Sequence, residues 1–116
     1  MAKPFFLLGE IERRLRQILT AHFDVAELAK VRDPGDGGRA IKSVNDLTLG
    51  ETIRLIESPD HWQRLGWEVE RAEFIKALDE VKDIRNEVMH FSPDPLTPEQ
   101  EAALTNFAAW LKVMEP

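Results

Sequence analysis

The chain has 116 residues, 43% of them hydrophobic and 31% charged, with a net charge of −6 and no cysteine. That composition suits one globular domain of ordinary size and excludes a disordered chain, a disulfide scaffold and a thiolate metal site. The acidic balance excludes binding of nucleic acid through the general field of the protein, so a nucleic-acid function must rest on a local site or on a groove between two copies.

Residues from about Pro4 to Phe23 predict a first helix. Phe5, Leu8, Ile11, Leu15, Ile18, Leu19 and Phe23 recur at spacings of 3 or 4, and Pro4 suits a first turn. Glu10, Glu12, Arg13, Arg14 and Arg16 take much of the remaining surface. The apolar opening Pro4-Phe5-Phe6-Leu7-Leu8 is too short for a signal segment, and Glu10 interrupts it. No apolar run approaches the ~20 residues of a membrane span. Together with the missing cysteines this predicts a cytoplasmic protein with no membrane partner.

Val25 to Lys30 continues as a short helix. Asp33-Pro34-Gly35-Asp36-Gly37-Gly38 then breaks the pattern as an exposed loop. It is no phosphate-binding loop, because no Gly-Lys-Ser/Thr follows. Thr48 with Glu51 three residues later forms a capping box that starts a second main helix, with Leu49, Ile53, Leu55 and Ile56 as its apolar stripe. Ser58-Pro59 ends it and caps a short helix through Trp62 and Leu65.

A third main helix is predicted from about Val69 to Phe91, roughly 35 Å long at 1.5 Å per residue. Ala72, Ile75, Leu78, Val81 (or Lys82), Ile84 and Val88 keep helical spacing. Ser92-Pro93-Asp94-Pro95 stops it. Thr97-Pro98-Glu99-Gln100 opens the fourth, with Thr at the cap, Pro first and Gln three after the cap. Leu104, Phe107, Ala108, Leu111 and Met114 form its apolar face. No segment alternates with the period of a strand. The fold class is therefore all-α: an up-down bundle of four main helices and one or two short ones, forming a single domain over 1–116.

Near the end of the third main helix stands Arg85-Asn86-Glu87-Val88-Met89-His90. Arg is permanently charged and presents a planar fork of donors that fits phosphate. His moves a proton near neutral pH. Residues five apart on a helix differ by about 140°, whereas residues four apart share a face. Asn86 and His90 are thus expected in one groove with Arg85 on its flank. Two copies around a two-fold axis would bring two of each together, so a homodimer belongs to this expectation. The chemistry is attack of a ribose 2′-hydroxyl on the adjacent phosphorus. His90 serves as base or acid, Arg85 stabilises phosphate charge, and Asn86 orients the ring or donates to phosphate. It needs no metal and no cofactor.

The R-x4-H run resembles the signature of the HEPN superfamily, the higher eukaryotes and prokaryotes nucleotide-binding domains. Val81 to Phe91 looks like that family's motif helix. Phe6 to Arg16 looks like the first helix of HEPN-like domains found beside ligand-sensing CBS modules in bacteria. The resemblance covers nearly the whole chain. It implies a helical bundle, a dimer, and RNA cleavage in many members, with toxin or phage-defence roles and an antitoxin or linked sensor domain as partner. A chain excised from a longer protein is part of the same expectation. The family also implies an acid from the first helix in the cleft, here Glu10 or Glu12. One branch carries a Tyr two positions after the His. Ser92 stands there, and the chain has no Tyr, so silencing by AMP transfer to that residue is excluded.

Plainer roles stand beside these. Arg-x4-His is common by chance: His90 would then meet the helix dipole and Arg85 would pair with an acid. Arg13, Arg14 and Arg16 suit RNA phosphates but also suit a solvated face. Trp62, Trp67 and Trp110 suit base stacking but more often pack. His22, His61 and His90 lack metal-site spacing. The alternative function is a non-catalytic helical dimerisation or nucleotide-binding regulatory module. Arg85 and His90 facing an open cleft with Asn86 would favour cleavage; salt bridges closed within one subunit would favour the module.

Overall fold

Leu8, Ile11, Leu15, Ile18 and Leu19 leave almost nothing to solvent on helix α1 (Lys3–His22), and this single stripe fixes how the helix sits. The computed structural model describes residues 3–33, 35, 39–89 and 96–114, with side chains from residue 6 onward. Five more helices follow: α2 (Val25–Ala29), α3 (Leu49–Glu57), α4 (Pro59–Leu65), α5 (Arg71–Met89) and α6 (Pro98–Met114), with a 3-10 turn at Val44–Asp46 between α2 and α3. Among the described residues there is no strand. Among the described residues the expected all-helical class is present, with four main helices and two short ones where one or two short ones were expected, and boundaries lie within two residues of expectation wherever both ends are described. The predicted end of α5 at Phe91, His90 itself, the Ser92–Pro95 break and the loop residues Pro34, Asp36, Gly37 and Gly38 lie outside the described residues.

The helices order themselves through shared apolar stripes. α6 packs on α1 and on α5, α5 packs on α3, and α4 covers α3. One continuous core results, with Leu55 and Ile56 from α3, Phe74 and Leu78 from α5, and Leu104, Phe107 and Leu111 from α6 at its centre. Phe74 lies 5.1 to 5.5 Å, ring centre to ring centre, from Trp62, Trp67, Phe107 and Trp110. The tryptophans therefore pack rather than stand free for bases, and such aromatic pairs add to plain burial.

Two expectations need correction. The buried stripe of α5 is Phe74, Leu78, Val81 and Ile84, while Ala72 is exposed and Ile75 and Val88 are only half-buried. The tryptophan-lined centre accepts the large ring of Phe74, and the helix turns to place it there. Ser58 precedes α4 but its side chain makes no capping bond; Pro59 at the first position starts that helix instead. Glu51, the expected partner of Thr48 in the capping box, is 1% exposed. Both other predicted caps form as expected. Thr48 Oγ1 accepts from the Glu51 N–H at 3.1 Å while Glu51 Oε1 accepts from the Thr48 N–H at 2.9 Å. Thr97 and Gln100 repeat the arrangement at 2.9 and 3.1 Å.

Candidate functional site

Helix α1 carries two acids, Glu10 and Glu12, and packing separates their roles. Glu10 bonds Arg14 one turn away on its own helix, at 3.4 Å. Glu12 reaches across to α5, where its Oε1 accepts from Arg85 Nε at 2.7 Å. Arg16 Nη2 stands 3.7 Å from the other oxygen of Glu12. One carboxylate thus lies between two guanidinium groups, an arrangement with a local charge of +1. The pair is open to water: the Arg85 side chain is 35% exposed and that of Glu12 23%.

Glu12, Arg16 and Arg85 line one side of a groove of about 310 Å³. The other side comes from the 3-10 turn and the start of α3, with Arg39, Asn45, Asp46, Thr48 and Thr52. This wall is positioned by Glu51. Its second oxygen, Oε2, accepts from the Asp33 N–H at 2.6 Å and from Arg39 Nη2, and Arg39 Nη1 also donates to the Asp46 carbonyl at 2.8 Å. Burial pushes the Glu51 carboxyl up, but the Thr48 and Asp33 N–H groups and the Arg39 guanidinium outweigh it and hold the group below its ordinary value. Glu51 is therefore an ionised strut under the groove.

The sequence-predicted residues divide as follows. Arg85, Glu12 and Arg16 meet at the groove. Glu10 and Arg14 pair with each other and are not among the groove-lining residues. Arg13 is exposed and borders a neighbouring shallow recess with Arg16, Gln17 and Thr20. Asn86 is exposed and is not among the groove-lining residues; one residue on a helix turns it about 100° from Arg85. His90 lies outside the described residues. Arg85 is paired within its own chain, the condition that favours the non-catalytic module, while the groove beside it stays open. Sequence reading missed Arg39, Asn45, Asp46, Thr48 and Thr52 as groove residues. Only the Thr48–Glu51 capping box signalled that wall.

Of the other histidines, His61 Nδ1 lies 2.7 Å from the Leu55 carbonyl and its ring edge meets Phe23. Its Nε2 stands 4.0 Å from Glu27, which is held by Arg64 at 2.7 Å. The group pins α4 to the α1–α2 corner. Among the described residues no group of three or more His, Cys, Asp or Glu could hold a metal ion, and no helix is long and apolar enough to cross a membrane. No family model matches the chain, and neither does any curated protein or solved structure.

Proposed function

We propose that this chain is a metal-independent endoribonuclease of HEPN type, acting as a cytoplasmic homodimer. The observation that carries the reading is the open polar groove that Arg85 lines together with Arg16 and Arg39. The resemblance implies an acid from the first helix in the cleft, Glu10 or Glu12, and the bond from Arg85 to Glu12 supports Glu12 for that part. Glu12 holds Arg85 by Nε, a positioning role that orients the guanidinium plane. A phosphodiester entering the groove would take donors from Arg85 and draw on Arg16 and Arg39 for charge. His90, five residues on, would take the 2′-hydroxyl proton or return one to the leaving 5′-oxygen, with Asn86 contributing from α5 or from the second copy. The products are a 2′,3′-cyclic phosphate and a 5′-hydroxyl.

The test is RNA cleavage in EDTA by the wild type, Arg85→Ala and His90→Ala, each checked for helicity and oligomeric mass. Cleavage by the wild type alone, leaving cyclic phosphate ends, supports the reading. No cleavage by any of the three, or equal cleavage by all, rejects it. One observation favours a second reading: Arg85 is already ion-paired inside its own subunit, as a structural arginine would be. Under that reading the chain is a non-catalytic helical dimerisation or regulatory module. The wild type would then form the dimer and bind RNA or nucleotide without cutting it, or form the dimer alone.

A further inference from the structure

A different face of α5 carries a second surface. Five residues, about 140° of helical turn, separate Glu80 from Arg85. Between Ala77 on α5 and Ala103, Phe107, Trp110 and Val113 on α6 runs an apolar groove of about 480 Å³. Alanines on both walls leave the space open. Trp110 is half-buried along it, and Val113 is 78% exposed. Glu80 closes one end and is shared with a second recess of about 260 Å³, lined by Asp83, Glu87 and Gln100. Glu87 accepts from the Gln100 side-chain amide at 2.6 Å, a neutral donor that leaves its charge in place. Over the ~15 Å of α5 from Ala77 to Glu87 the surface changes from apolar to anionic. The acids do not form a cation cage, since no metal-holding group exists among the described residues.

We infer that this groove docks an amphipathic helix from a protein partner. Apolar residues of the partner would sit against Trp110 and Val113, and its Lys or Arg residues would reach Glu80, Asp83 and Glu87 about one to three turns further along. Helices bind grooves of this kind through anchors at i, i+3/i+4 and i+7, and opposite charge at one end fixes the direction and accelerates encounter. Charge complementarity selects this occupant over a second copy. Glu80, Asp83 and Glu87 gather at one end of the groove and suit a basic partner, and the net charge of −6 on each chain disfavours a second copy there.

A phage-displayed library of helical peptides, selected on the full chain, supplies the probe. Enriched peptides are synthesised with a fluorophore and their binding followed by anisotropy. The expected winners place apolar residues at helical spacing and two or more Lys or Arg about one to three turns beyond. Their Kd rises about tenfold or more with Glu80→Lys/Asp83→Lys and with Val113→Asp. These are exposed positions, so circular dichroism stays that of the wild type. No enrichment, winners without basic residues, or unchanged binding by folded variants overturns the inference. A homodimer that Val113→Asp dissociates also overturns it and assigns the groove to a second copy. RNA cleavage plays no part in the readout, so this outcome is independent of the nuclease assay.

Discussion

Glu12 and Glu51 each hold an arginine from another part of the chain, and they do opposite things. The side chain of Glu51 is 0% exposed and its bonds tie the N-terminus of α3 to Asp33 and Arg39 of the preceding loop. Glu12 is 23% exposed and shares its charge between Arg85 and Arg16 at the edge of a groove. A buried charge must keep its partners, because losing one leaves the other stranded without water. A half-exposed pair is worth little to the fold, and its arginine can trade a carboxylate for a phosphate at small cost. The same residue types thus make a buried strut in one place and a half-exposed pair in the other, and the proposed function uses the second as a ligand-ready arginine.

The sharpest way to break this contrast is Glu51→Ala. It removes an acceptor for two N–H groups and the counter-charge of Arg39, and should lower stability by about 3–5 kcal/mol, read from urea unfolding. Glu51→Gln should cost less and flatten the acid limb. The folded value of Glu51 lies below its unfolded one. Its contribution is therefore complete above the ordinary carboxyl value of the unfolded chain and is lost as pH falls through the lower folded value. The wild type should lose stability over that window more steeply than Glu51→Gln.

Arg85→Ala should invert the pattern. RNA cleavage should fall on the order of a hundredfold or more, while stability changes by about 1 kcal/mol or less. Glu12→Gln should sit between, with about a tenfold loss of cleavage as the guanidinium loses its orientation and about 1 kcal/mol or less in stability. Gly66→Ala serves as a control outside both regions. Gly66 closes α4 at φ +71°, a conformation that strains an alanine, so it should cost about 1 kcal/mol and leave cleavage alone.

How much of this was legible in the sequence differs by residue. The helices were, because apolar spacing and caps such as Thr48–Glu51 and Thr97–Gln100 are local signals. Ala72 against Phe74 was not: both suit a helix, and the aromatic rings of α4 and α6 decide which turns inward. The choice between Glu10 and Glu12 was not legible either. Two residues apart they point about 160° apart, and the packing of α1 beside α5 brings only Glu12 to Arg85. The Glu51 strut was half legible. Its Oε1 follows from the capping box, but the partners of Oε2 lie 12 and 18 residues away in a loop with no periodicity. The exposure of Asn86 follows from helix geometry once Arg85 is known to face α1.

The most direct measurement is RNA cleavage in EDTA by Arg85→Ala, read together with its melting temperature. The contrast between strut and ligand-ready arginine predicts cleavage abolished and melting within about 4 °C of the wild type. Cleavage intact with melting lowered as far as in Glu51→Ala would contradict it, and Arg85 would join Glu51 as a structural residue.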